Sequence, residues 1–252
     1  MVEMPMKNNF KAIFRALREI ARQISVRPHF STTRQSYNDY WRSKRPNNLG
    51  YANEFQIERA NWIAHRISDN ETVIDLGCGD GATLLALRRI RVIDAHGVDI
   101  AEGPLEYVLE CGIGISRIDL NSQTALRALS KRDHVLLLEV LEHIPESEEL
   151  LSTALGIANK SVFFSVPNSG YISYRLRLLF GRFPVQWRLY PGEHLRYWTL
   201  ADLKWWLEEL DLTSRSEIGT YLGIPGLARF FPSLFAAGLI VRVACDCKKT
   251  SV

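Results

Sequence analysis

The sequence predicts an α/β fold: a seven-stranded, mostly parallel sheet with helices on both faces. Three observations carry this. Apolar runs that read as buried strands alternate with helix-periodic segments along most of the 252 residues. One such run, Val73-Ile74-Asp75-Leu76, passes directly into the glycine loop Gly77-Cys78-Gly79-Asp80-Gly81, and a helix opens near Ala82. Asp75, Asp99 and Asp119 then stand at the ends of three successive strands.

The elements follow in order. Phe10, Ile13, Phe14, Leu17, Ile20, Ala21 and Ile24 recur at helical spacing, with Lys11, Arg15, Arg18 and Arg22 on the other face. This basic amphipathic helix and its linker are expected to form a unit over 1–36, ahead of one domain over 37–252. Residues 28–50 read as irregular, with Tyr37, Tyr40 and Trp41 clustered. Glu54 to Ile67 reads as a helix with Phe55, Ala60, Ile63, Ala64 and Ile67 inward. Strands are expected near 72–76, 92–98, 115–119, 134–140 and 161–166, with helices near 82–90, 103–111 and 147–159 between them. Ser147 is the expected cap of the last of these helices, with Glu148 and Glu149 in its first turn. Thr199 and Asp202 mark a capping-type start for a helix carrying Leu200, Leu203, Trp206, Leu207 and Leu210. Residues 212–218 and 238–246 supply the last two strands, and the Gly-, Pro- and Phe-rich stretch 220–237 joins them.

Composition is that of an ordinary globular chain, 46% hydrophobic and 23% charged. The net charge is +3, yet residues 1–27 alone carry six cations (Lys7, Lys11, Arg15, Arg18, Arg22, Arg27) against Glu3 and Glu19. The remainder is therefore slightly acidic, which argues against a nucleic-acid partner. The basic helix suits either an anionic membrane surface, with contact through residues 7–27, or packing on protein. No apolar run is long enough to span a bilayer, and no signal peptide is evident. Cys78, Cys111, Cys245 and Cys247 form neither a disulfide framework nor a zinc pattern, so a reducing cytoplasm is expected and no metal site is assigned.

The chemistry concentrates at the strand ends. Glycines at 77, 79 and 81 let a ligand lie against bare backbone. The spacing Gly77-x-Gly79-x-x-Ala82 also satisfies the loose dinucleotide fingerprint. Asp75 and Asp80, however, suit a cationic ligand better than a pyrophosphate; S-adenosylmethionine (SAM) carries both a sulfonium and an ammonium. Asp99 is placed to accept ribose hydroxyls, beside Ile100. Asp119 between Ile118 and Leu120 suits the adenine amino group. The run Leu136 to Pro145 holds Glu139, Glu142 and His143 in a turn that faces the methionine part.

With these stations in sequence, the chain resembles the class I SAM-dependent methyltransferases from about Tyr37 to Leu210. The resemblance implies a Rossmann-like fold whose last strand runs antiparallel between its neighbours, with SAM as cofactor. It implies that Asp75, Gly77, Cys78, Gly79, Asp99, Ile100, Asp119, Leu120 and Glu139 hold that cofactor. Ser165-Val166-Pro167-Asn168 and Arg175 to Val185 are similar to the methionine-biosynthesis MetW group, whereas Glu193-His194-Leu195-Arg196-Tyr197-Trp198-Thr199 is similar to small-molecule and sugar methyltransferases.

Residues 167–198 are too long for a plain connection and open at the carboxyl edge of the sheet, which marks a lid. Arg175, Arg177, Arg182, Arg188 and Arg196 stand there with Tyr171, Tyr174, Phe180, Phe183, Trp187, Tyr190, Tyr197 and Trp198. Such a set suits an anionic or glycosidic acceptor; the alternative is a lid helix near 174–180 with solvated arginines. The expected activity is methyl transfer to a small molecule, sugar or lipid-linked glycan, with a MetW-like SAM-binding accessory and a nicotinamide oxidoreductase as alternatives. His194 and His143 are the candidate bases for a hydroxyl acceptor. His29, His65, His96 and His134 are given no role.

Overall fold

The computed structural model describes residues 6–27, 41, 48–186 and 193–245. Tyr37, Tyr40, Trp187, Arg188, Tyr190, His29 and Cys247 lie outside the described residues, as do the side chains of Lys7, Phe10, Lys11 and Arg15.

Seven strands form one sheet: β1 (Glu71–Leu76), β2 (Ile93–Asp99), β3 (Gly114–Arg117), β4 (Arg132–Leu138), β5 (Ala158–Pro167), β6 (Ser216–Gly223) and β7 (Ala236–Ala244). Their order is β3-β2-β1-β4-β5-β7-β6. All pairings are parallel except those of β7, which runs antiparallel to both β5 and β6. The expected sheet, including the inserted last strand, is present.

Strand alternation divides the core into two layers. Ile74 and Leu76 of β1 point to one face, Val73 to the other. The Val73 face is covered by α2 (Glu54–Ala64), α3 (Ala82–Arg88) and α4 (Glu102–Glu110) through Ile63, Leu84 and Val108. The opposite face is covered by α5 (Gln123–Arg127), α6 (Ser147–Ile157) and, after the insertion, α8 (Leu200–Glu209), through Leu126, Leu150, Leu203 and Leu207. The helix within the insertion is α7 (Ile172–Leu179), and it packs on the N-terminal helix α1 (Met6–Ser25). Two short turns, α9 (Leu227–Phe230) and α10 (Pro232–Phe235), fill the β6–β7 excursion.

Several details correct the sequence reading. Phe55 is 45% exposed and meets the Tyr221 ring edge to face. Ser147 is not a cap: Glu146 holds that position, and the Ser147 hydroxyl reaches the carbonyls of Leu141 and Ile144, each at 2.8 Å. Residues 213–215 form a 3₁₀ turn, so β6 starts four residues later than expected. Thr199 and Asp202 do form the reciprocal cap. No helix among the described residues is long and apolar enough to cross a membrane.

Candidate active site

Parallel strands end together, so Asp75, Asp99 and Glu139 come to one edge of the sheet, the edge where open α/β sheets receive ligands. The glycine loop closes over the β1 tip. The N–H groups of Gly77 and Cys78 donate to the Val98 carbonyl (2.7 and 3.0 Å), and that of Gly79 donates to Asp99 Oδ2 (2.8 Å). Gly77 and Gly79 have φ of 85° and 55°. A Cβ on Gly77 would meet Val140 Cγ2 at 2.6 Å, and one on Gly79 would meet the Trp41 ring at 2.2 Å, so both positions demand glycine. Asp99 also accepts from the Ala101 N–H at 2.9 Å. Half-buried Ile100 follows it in the chain.

Asp75 is 3% exposed, and its Oδ1 has no hydrogen-bond partner. Burial pushes its pKa up to about 7; Arg59 works against this and Asp99 with it. An orphaned buried carboxylate beside bare backbone fits a cationic ligand group such as the SAM ammonium. Asp119 is placed differently from expectation. It is exposed, two residues beyond β3, and its Oδ1 accepts from the Asn121 N–H and side-chain amide (3.0 and 2.8 Å) in a local turn. Leu120, half-buried, lies 3.5 Å from a Cβ built on Gly77 and so borders the loop.

Glu139 follows β4 with φ 58°, an unusual conformation for a non-glycine residue. Its surroundings over-determine it. Its N–H donates to the Ser165 carbonyl (3.1 Å), and its Oε1 accepts from Ser165 Oγ (2.8 Å) and the Tyr221 hydroxyl (2.6 Å). Arg59 Nη1 lies 3.3 Å away. Sequence reading missed Arg59, Ser165 and Tyr221. The available signal was Arg59 beside inward-facing Ala60 and Ile63 on α2, a charge at a core position.

His143 and His194 are brought together: their rings meet edge to face at 4.7 Å. His143 Nδ1 is 2.5 Å from the Glu193 carbonyl, so Nδ1 carries the proton and Nε2 the lone pair. The carbonyl of Glu142 accepts from the Leu195 and Arg196 N–H groups (2.7 and 3.3 Å), locking the end of the insertion to this turn. Glu142 is 1% exposed; its Oε2 and the Nδ1 of His194 are both buried without a partner. Burial and Glu139 push the Glu142 carboxyl well up, whereas burial, with His143 adding to it, lowers His194 to about 4. One ligand atom from each of Glu142, His143 and His194 lies within 4.8 Å of the others, a set able to hold a metal ion.

The four described arginines of the insertion bond to protein groups, mostly main-chain carbonyls, and Arg188 lies outside the described residues. Arg175 donates to the Gly170 carbonyl (2.6 Å), Arg177 to those of Phe183, Gln23 and Val26, Arg182 to that of Ile24, and Arg196 to Pro145 and Glu148. Tyr171 and Trp198, each 5% exposed, are core residues. His134 is also structural, bonded to Glu71 and Ser161 Oγ (2.8 Å each) at the far edge of the sheet.

The fold is that of class I methyltransferases. A family model for the methyltransferase domain matches residues 36–217, and the chain belongs to that family. It is a SAM-dependent methyltransferase. It is 29% identical over 172 residues to a ubiquinone biosynthesis O-methyltransferase of Stutzerimonas stutzeri (strain A1501), covering 64% of this chain and 73% of that one. A protein of the same name from Shewanella sp. (strain ANA-3) is 26% identical over 69% of this chain and 77% of its own. Among solved structures, a SAM-dependent methyltransferase from Archaeoglobus fulgidus superposes with a TM-score of 0.58 at 17% identity, over 83% of this chain and all of that one. Magnesium protoporphyrin IX methyltransferase from Synechocystis PCC 6803, with bound SAH, gives 0.55 at 18% identity, over 82% and 97%. These relatives lend no support to a MetW-like accessory role.

Proposed function

We propose that this methyltransferase acts on a hydroxyl oxygen of a small-molecule acceptor. The observation that carries this reading is the Glu142–His143–His194 cluster, at the same sheet edge as Asp75 and Glu139. The names of the relatives, O-methyltransferases, support oxygen as the accepting atom. A sugar or glycan acceptor has no such support.

In this reading the glycine loop, Asp75 and Asp99 hold SAM, with Asp75 toward its ammonium and Asp99 toward the ribose. Leu120 borders the adenine and Asp119 lies at its solvent side. Arg59, Ser165 and Tyr221 hold Glu139 in its left-handed conformation. The acceptor oxygen attacks the methyl carbon in line; the O–CH₃ bond forms as the S–CH₃ bond breaks, and the hydroxyl proton must leave. The residues orient both partners and exclude water.

The fate of that proton decides the role of the cluster. A histidine held near 4 is a weak base but a good neutral ligand, and the lone pairs of Glu142 and His194 lack partners. Glu142, His143 and His194 therefore suit a divalent cation, which when bound would lower the pKa of an acceptor hydroxyl. This proposal departs from the sequence reading, which assigns no metal site. The test is SAM turnover with hydroxylated acceptors after chelation, then with Mg²⁺ or Mn²⁺ restored. Loss and recovery of rate, with recovery abolished in Glu142→Gln, is expected. A rate indifferent to chelation and metal leaves His143 and His194 as the candidate bases and overturns the cation, not the methyl transfer. Methylation exclusively at nitrogen or carbon overturns the hydroxyl reading.

A further inference from the structure

Helix α1 is tied to the insertion by buried hydrogen bonds. Arg177, 2% exposed, donates to the Gln23 and Val26 carbonyls at the end of α1 and to the Phe183 carbonyl beyond α7. Gln23 returns a bond to the Val185 carbonyl (3.2 Å), and Arg182 reaches that of Ile24 (3.3 Å). This clamp joins the two segments yet leaves several of their large apolar side chains in solvent. Phe14 is 70% exposed and Leu17 56%; in the insertion Leu179 is 76%, Phe180 63% and Phe183 63%. Monomeric proteins seldom expose so many large apolar groups on adjoining elements without a partner.

Two further observations identify the partner. The charge of this region is complementary to an anionic surface: residues 1–27 hold six cations against two acids, and Arg18, Arg22, Arg27 and Arg182 are exposed. The apolar rim also leads to the candidate active site. Phe183 meets the Tyr197 ring at 6.2 Å, Tyr197 meets His194 at 6.3 Å, and His194 meets His143. We infer that α1 and the α7 segment dock the enzyme on an anionic lipid bilayer, with the acceptor cleft opening beside the membrane. The link to the cleft rests on the proposed function; the docking itself does not.

The 252-residue chain is sedimented with vesicles of phosphatidylglycerol and phosphatidylcholine, and with vesicles of phosphatidylcholine alone. Binding to the mixed vesicles, at least tenfold weaker to the neutral ones and weakened by salt, is expected. A Phe14→Ser/Leu179→Ser variant is expected to lose at least tenfold in vesicle binding while its SAM affinity and melting temperature stay unchanged. Absence of binding to the mixed vesicles overturns the inference. So does concentration-dependent dimerisation that the same substitutions abolish, since a second copy would then cover the face. Vesicle binding is read without turnover, so its failure is distinct from failure of the hydroxyl-methylation reading.

Discussion

The guanidinium of Arg59, on α2, lies 3.3 Å from the carboxylate of Glu139, which sits past the tip of β4 in a left-handed conformation. The two meet beside Asp75, whose carboxyl Arg59 also influences. One buried cation thus organises two of the acids proposed to face SAM.

Replacing Arg59 with Met removes that organisation. Breaking a buried ion pair costs about 3–5 kcal/mol, and Glu139, being partly exposed, places the loss near about 3 kcal/mol. Urea unfolding measures it. SAM affinity is expected to fall as well, because Glu139 loses the partner that holds its strained backbone.

Asp75 makes SAM binding pH-dependent. Its carboxyl in the free protein titrates at about 7, so below that pH it is protonated and offers no charge to a cationic ligand. Binding then requires loss of a proton, and affinity is expected to weaken by about tenfold per pH unit below 7, levelling off above it. Calorimetric titration of SAM from pH 5.5 to 8.5 tests this, and Asp75→Asn is expected to flatten the profile.

Stability has its own pH signature. His194 is depressed from 6.5 to about 4, and His134, also buried, is lowered too. The unfolded chain then binds protons more readily than the folded one. The His194 contribution is complete above pH 6.5 and is lost as pH falls toward 4, by about 1.4 kcal/mol for each unit of separation traversed, and that of His134 is lost in the same direction. Glu71 acts in a lower window: burial pushes it up, but Lys160, the Ser68 N–H and His134 together hold it at about 2, so its loss begins below 4.5. Asp75 and Glu142, both raised by burial, act in the opposite sense over this range, so the histidine contribution is read as a difference: urea midpoints of His194→Gln are expected to gain on those of the wild type as pH falls from 6.5 toward 4.

Gly79→Ala places a methyl group against the Trp41 ring at φ 55°. The left-handed backbone alone costs about 1–2 kcal/mol for a residue with a side chain. Thermal melting is expected to show at least that loss. Adding Trp41→Ala is expected to relieve the clash and leave the backbone part.

Much of this was legible in the sequence because it is local. The period-2 apolar runs, the glycine loop and the reciprocal cap of Thr199 and Asp202 each depend on residues a few positions apart. The inserted antiparallel strand came from family resemblance rather than periodicity. What the sequence concealed depends on distant pairings: Arg59 with Glu139 and Tyr221, or Arg177 with the carbonyls of Gln23 and Val26. The arginines of the insertion read as a free charge cluster because their carbonyl partners leave no mark in a linear pattern. The exposure of Asp119 was not legible either, as its neighbour Asn121 draws its carboxylate into a turn beyond β3. His143 and His194 were singled out separately; that they join Glu142 in one ligand set required the fold.

The most direct measurement is calorimetric titration of SAM into the wild-type protein and into Asp99→Asn. Asp99 accepts the N–H groups of Gly79 and Ala101 and faces the proposed ribose position. Binding at one site, weakened about 10–100-fold by the substitution, is the expected result; charge-assisted hydrogen bonds are worth about 1.5–3 kcal/mol. Equal affinity in the two proteins would contradict the placement of the donor over the strand-tip carboxylates.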